Sequence, residues 1–162
     1  MKRFVRPLTQ SEFGAFGDVI QHYGGERRHR LSIDFCGEHN PMRQAFWVSK
    51  VSTATDLPNS IGQLERHPLS DQAFVPLNAV QFLVVVCPSR PDGMPDMEAC
   101  EAFVAGPGQG IIYRRNVWHA PLSSLTAPAE FFVTMGVADN ATNDEFCDLP
   151  SPLHIALEGG HA

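Results

Sequence analysis

The sequence predicts a mainly β protein, a sandwich or barrel of short strands preceded by one short N-terminal helix. Three observations carry this expectation. The apolar segments are short, thirteen glycines and thirteen prolines supply turns between them, and no long helical period appears anywhere in the chain.

The elements follow in order. Thr9 with Glu12 three residues on has the form of a capping box, so a helix is expected over residues 10–16, with Phe13 and Phe16 on one side and Gly17 ending it. Short strands are then expected at Phe46–Val48 with Val51, Ile61–Leu64, Phe74–Val75, Gln81–Val86, Ala102–Val104, Ile111–Tyr113 and Phe131–Val133. Turns fall at Pro58–Ser60, Pro88–Pro95 and Gly106–Gly108. There is no internal repeat and no low-complexity tract. Residues 1–162 read as one domain. The stretch from about residue 140 is polar and then Pro-rich, and reads as a loosely ordered C-terminal arm.

Bulk properties narrow the function classes. The chain is 43% hydrophobic and 19% charged, with a formal charge of -6, which argues against nucleic acid or an anionic membrane surface as partner. The basic clusters, Glu26-Arg27-Arg28-His29-Arg30 and Arg114-Arg115, suit a small carboxylate or a merely solvated surface. Met1-Lys2-Arg3-Phe4-Val5 runs into Pro7 without the apolar stretch of a secretory leader. The longest apolar run, Phe82–Cys87, is far too short to span a bilayer. Cys36, Cys87, Cys100 and Cys147 lack CxxC spacing and are expected as reduced thiols of a cytoplasmic protein, Cys87 within the core.

Two segments remote in sequence carry the chemistry. On a strand Glu65 and His67 share a face. Gln72 stands about one tight turn beyond them, and His119 closes a later turn. Glu65-x-His67 followed after four residues by Gln72 has the spacing of the first motif of the cupin barrel, a double-stranded β-helix. Gly108 followed by Arg114-x-Asn116-x-x-His119 has the spacing of the second. Asn116 stands where that motif usually has Gly, a mild change because Asn tolerates the left-handed turn. The expected fold is therefore cupin-like.

Imidazole and carboxylate suit nickel, manganese, iron or zinc, and an amide oxygen is a weaker ligand that leaves a position open. Glu65, His67, Gln72 and His119 are thus candidate metal ligands. The competing reading is a buried hydrogen-bonded pair of Glu65 and His67 without metal. Arg66 alternates with them and should point outward. Arg115 shares strand parity with Tyr113 and His119, so it either binds a substrate carboxylate bidentately or makes a structural salt bridge to an acid. Trp118 reads as core or pocket wall. Ser49, Lys50 and Ser52 form no nucleophile arrangement, and no phosphate loop is present.

The chain resembles the ureidoglycolate lyase family. The resemblance runs through Pro7-Leu8-Thr9, Phe16-Gly17-Asp18-Val19-Ile20, Leu64 to Leu69, Gln72 to Pro76, Val84-Val85-Val86, Ala102-Phe103-Val104, Gly108-Gln109-Gly110 and Tyr113 to Pro121. It implies a cupin-like barrel, usually a homodimer and in some members metal-dependent. The implied reaction is the cleavage of (S)-ureidoglycolate to glyoxylate and urea in purine (allantoin) breakdown. The chain departs from the family pattern at Arg114 and Ala120, which stand in place of two histidines, and at Met135-Gly136, in place of an Asp-Arg pair. The match is poor over residues 21–50.

On this basis His119 or His67 is the expected base, oriented by Glu65, with Arg115, Tyr113 and Trp118 as substrate-binding groups. The substrate is a small ureido acid. The alternatives are a non-catalytic cupin-like module binding a small carboxylate and a related amidohydrolase with changed substrate.

Overall fold

In the computed structural model residues 1–35, 42–139 and 142–158 are described. The chain opens with β1 (Lys2–Phe4), β2 (Arg6–Pro7), α1 (Gln10–Phe13) and β3 (Gly17–Ile20). The central strands are β4 (Arg43–Val51), β5 (Asn59–Arg66), β6 (Gln72–Pro76), β7 (Phe82–Cys87), β8 (Glu101–Ala105) and β9 (Gly110–Tyr113). The last are β10 (Trp118–His119), β11 (Ser123–Ser124), β12 (Ala129–Val137) and β13 (Glu145–Ala156). They form two sheets, one ordered β1-β13-β5-β10-β7-β8-β2 with β11 beside β7, the other β3-β9-β6-β12-β4. The result is a cupin-like β-barrel, as the motif spacing predicts.

The apolar run of β7 explains how the large sheet is packed. Phe82, Val84 and Val86 join a core with Phe13, Phe74, Ile111, Phe131 and Val133 of the opposing layer. Leu83, Val85 and Cys87 join a second core with Leu64, Trp118, Leu153 and Ile155. A strand apolar on both faces is buried on both faces.

Four expectations change. The helix is one turn, not seven residues: Thr9 caps it as predicted, its hydroxyl accepting from Glu12 N at 3.4 Å, but it stops at Phe13. Gly17 does not end the helix; it lies in β3 opposite Tyr113, where a Cβ would fall 1.7 Å from the Ile112 carbonyl oxygen. Only a glycine permits that approach.

The expected loose arm is instead the longest strand. β13 pairs antiparallel with β5 and parallel with β1. Cys147, Leu149, Leu153 and Ile155 alternate into the second core. A register shift between Asp148 and Leu153 lets Pro150 and Pro152 sit in the strand without breaking the pattern.

The cysteine reading also changes. The register Val86↔Glu101 carries on to set Cys87 opposite Cys100, and the two are joined as a disulfide with Cα atoms 4.2 Å apart. Cys87 is in the core, as expected, and Cys147 is a buried free thiol. Cys36 lies outside the described residues.

Several short strands, β1, β2, β3, β10 and β11, have too few residues to show a period and were not anticipated. Among the described residues no helix is long and apolar enough to cross a membrane.

Candidate active site

The site is built on β5 and β10. In their antiparallel pairing His119 lies directly opposite Glu65, and His67 follows two residues later on the same face. The His67 and His119 rings are 5.2 Å apart. One ligand atom from each of Glu65, His67 and His119 lies within 4.8 Å of the others. Behind them Tyr113 stacks on His119, with centroids 4.1 Å apart and planes inclined by 18°. Glu65, His67 and Gln72 line a cavity of about 640 Å³ between the two sheets, closed by Phe74 and Met135 and reaching Trp47 on β4.

Hydrogen bonds fix which nitrogen of each ring is available. His119 Nδ1 lies 2.9 Å from the Val117 carbonyl oxygen, an acceptor, so the proton sits on Nδ1. Nε2 then carries a lone pair, and among the described residues it is buried without a hydrogen-bond partner. Its nearest polar neighbour is Glu65 Oε1 at 3.5 Å, an ion-pair distance. Two acceptors face each other there, which suits a proton or cation between them.

His67 Nδ1 likewise meets acceptors, the Asn143 carbonyl oxygen at 3.0 Å and Asp144 Oδ1 at 3.0 Å. Its proton therefore also sits on Nδ1. Nε2 lies 3.0 Å from Gln72 Oε1; with the ring proton on Nδ1, a flip of that amide turns its NH2 to the Nε2 lone pair. A ring whose Nδ1 is tied to a backbone carbonyl and whose Nε2 faces a pocket is the usual arrangement of a metal-binding histidine. His67 has it, with Gln72 between its Nε2 and the open cavity; His119 shares the carbonyl behind Nδ1, while its Nε2 is buried beside Glu65 outside the cavity lining. The donor set, two imidazoles and a carboxylate, fits a divalent transition metal.

Burial, and then the charge of His119, lower the His67 pKa below the ordinary histidine value, against the raising effect of the Asn143 carbonyl, Glu65 and Asp144. Burial acts to raise the Glu65 carboxyl, but the neighbouring His119 and His67 outweigh it and hold the group below its usual range. Tyr113 is pushed up, first by burial and then by the Glu65 charge, so its hydroxyl keeps its proton.

The sequence-predicted residues divide cleanly. Glu65, His67, Gln72 and His119 come together. Gln72 does so as the hydrogen-bond partner of His67. Tyr113 supports His119 from behind and is absent from the cavity lining.

Arg66 points away, as expected, its guanidinium 4.6 Å from the Trp118 ring and its Nε donating to Glu145 at 2.7 Å. Trp118 is core, the first of its two readings: it is buried in the second core on the Arg66 side, with Nε1 donating to the Gly93 carbonyl at 3.0 Å, and does not serve as the expected substrate-binding group. Neighbours on a strand face opposite ways, so Trp118 cannot share the pocket of His119.

Arg115 is also displaced from the pocket. Strand parity does not carry across residues 114–117, which form a turn in which Asn116 has φ 66°, the left-handed conformation expected of it. Arg115 is exposed and pairs with Asp34 at 3.5 Å, the structural salt bridge of the two readings.

Asn143 and Asp144, from the stretch read as a loose arm, were missed, as were the apolar walls Trp47, Phe74 and Met135. Among the described residues no lysine or arginine lines the cavity.

A family model described as Ureidoglycolate lyase matches residues 2–156. The chain is 39% identical over 153 residues to a ureidoglycolate lyase of Mesorhizobium japonicum, covering 88% of this chain and 90% of that protein. It is 33% identical over 163 residues to one of Rhodobacter capsulatus, covering 96% and 97%. It is 36% identical over 164 residues to one of Pseudomonas syringae pv. syringae, covering 95% and 94%.

Proposed function

The chain belongs to the ureidoglycolate lyase family, and from that premise we propose that it cleaves (S)-ureidoglycolate to glyoxylate and urea at the Glu65–His67–His119 cluster. The observation that carries the placement is the buried Nε2 of His119, without a hydrogen-bond partner among the described residues and 3.5 Å from Glu65, which itself lines the cavity.

Ureidoglycolate is a carbinolamide. When its hydroxyl loses a proton, the C–O bond becomes the aldehyde carbonyl, the C–N bond breaks, and the leaving nitrogen takes a proton to give urea. The reaction is proton-neutral overall, so one group can accept the first proton and return it. We assign this role to His119: its Nδ1 faces the Val117 carbonyl, and its Nε2, buried outside the cavity lining, is reached past Glu65 at 3.5 Å. Glu65, held anionic, stabilises the imidazolium that forms. His67, kept neutral by burial and tied to Gln72, shapes the adjoining wall.

The substrate is an anion, whereas the charged residues of the lining are Glu65 and Asp144, with no lysine or arginine among the described residues. A positive charge is needed to seat the carboxylate. A divalent cation such as nickel, manganese or zinc, held by Glu65, His67 and His119, would supply it and polarise the hydroxyl oxygen, and His119 would then be a ligand instead of the base. Gln72 would remain beside His67.

We propose that a homodimer contact uses the outer face of β4 and β12. Phe46 and Val48 are 65% and 58% exposed, and Phe46 stacks on Phe132 at 6.1 Å. Contiguous exposed aromatics on an edge strand suit self-association.

The reading is tested by measuring glyoxylate release from (S)-ureidoglycolate, with and without added nickel, manganese or zinc. Stereospecific turnover is expected; no turnover under any of these conditions overturns it.

A further inference from the structure

We propose that Asn143 is a positioning residue for His67, holding the imidazole in the Nδ1-protonated form that leaves Nε2 to Gln72 and the cavity wall. The proposal deepens the lyase reading and rests on it only for the catalytic consequence.

The geometry is specific. The Asn143 backbone carbonyl accepts from His67 Nδ1 at 3.0 Å, and that carbonyl is held in place by its own side chain. Oδ1 accepts from Leu69 N at 2.7 Å. Nδ2 donates to Ser70 Oγ at 2.9 Å and to the Gly136 carbonyl at 3.0 Å. Ser70, itself fully buried, accepts from Gly136 N at 3.0 Å. At Gly136 a Cβ would lie 2.9 Å from Ser70 Cβ and 2.3 Å from the Phe35 carbonyl oxygen, so the clamp closes only around a glycine.

Asn143 thus ties the turn after β5, which carries His67, to β12 and fixes the third point, its own carbonyl, against the ring. It is 5% exposed, and each of its side-chain polar atoms has a partner, so it is not a free binding group. Asp144 Oδ1 also lies 3.0 Å from His67 Nδ1 with its side chain half exposed, whereas the Asn143 carbonyl is buried and fixed by the Asn143 side chain. A fixed carbonyl behind a histidine specifies both tautomer and ring orientation, and loss of such a partner typically lowers activity or metal affinity by about 10–100-fold.

The test compares Asn143→Ala, Ser70→Ala and Asp144→Asn with the parent by nitrogen-detected NMR of the His67 ring and by lyase kinetics. The parent is expected to show one His67 form, protonated at Nδ1. Asn143→Ala should convert it to a mixture, with turnover reduced about 10–100-fold, while dispersed amide signals report an intact fold. Ser70→Ala leaves the atoms lining the cavity in place and should move the tautomer in the same direction by less; it decides the question if Asn143→Ala does not fold. An unchanged tautomer in both variants overturns the proposal, as does a tautomer lost in Asp144→Asn alone. If the parent lacks lyase turnover, the ring form still decides the role of Asn143, and the functional reading fails separately.

Discussion

His119 and Glu65 face each other across neighbouring antiparallel strands with Nε2 3.5 Å from Oε1. The Val117 carbonyl accepts from Nδ1 on the far side of the His119 ring. The arrangement leaves a basic lone pair beside a carboxylate kept anionic, which is the chemistry a carbinolamide cleavage asks for.

His119→Gln keeps the ring's approximate volume beside Tyr113 but removes its basic nitrogen. Turnover is expected to fall by about 10²–10⁴-fold, with the circular dichroism of the parent retained. Unchanged turnover would assign the proton transfer elsewhere.

Arg115→Ala is expected to change little. The Arg115–Asp34 pair is nearly half exposed and 3.5 Å long, and surface pairs of this kind contribute about 0–1 kcal/mol. Steady-state kinetics should give KM within about twofold of the parent. A large rise in KM would return Arg115 to the substrate carboxylate.

These two residues mark where the sequence was legible. Glu65, His67 and Gln72 were found because period-two parity and a short turn fix their relation locally, and His119 because a second motif repeats the spacing logic. Parity fails once the chain turns. Asn116 at φ 66° separates Tyr113 from His119, so Arg115 was placed inward and is not, and Trp118 was placed in the pocket although it alternates with His119. Asn143 and Asp144 were invisible for another reason. Their contact with His67 spans 76 residues or more in sequence, and β13, which carries that segment, hides its alternation behind Pro150 and Pro152. The fold class was legible because alternation in the central strands and turn density are distributed signals that no single misplacement removes.

Acid should destabilise the protein in two stages. His67 has a folded-state pKa below the ordinary 6.5, so in the window between the two values the unfolded chain binds the extra proton, and stability falls as pH drops below about 6.5. Glu65 is held below 4.5, and its contribution is lost as pH falls through that lower value. Thermal melts from pH 7.5 downward should show the decline, and His67→Asn should flatten its upper stage. A melting temperature that rises between pH 7 and 6 would contradict the environment described for His67.

Leu153 is fully buried in the second core, so Leu153→Ala should cost about 2–5 kcal/mol, read as a shift in the denaturant midpoint. A change below about 0.5 kcal/mol, the range of ordinary surface substitutions, would mean that β13 is the loose arm its composition suggests.

Metal binding has a readout independent of turnover. Nickel, manganese or zinc should raise the melting temperature of the parent by mass action, about 2.7 kcal/mol of added stability at a hundred times the dissociation constant. The same additions should leave Glu65→Gln and His67→Asn nearly unmoved. Equal shifts in all three proteins would place the cation outside this cluster.

The most direct measurement is the steady-state rate of glyoxylate formation from (S)-ureidoglycolate by the parent and by Glu65→Gln, His67→Asn and His119→Gln, each verified as folded. The account predicts turnover in the parent and a loss of at least about tenfold in every variant, because all three groups meet at one reacting centre. Parent-like turnover in any two of the folded variants would contradict it.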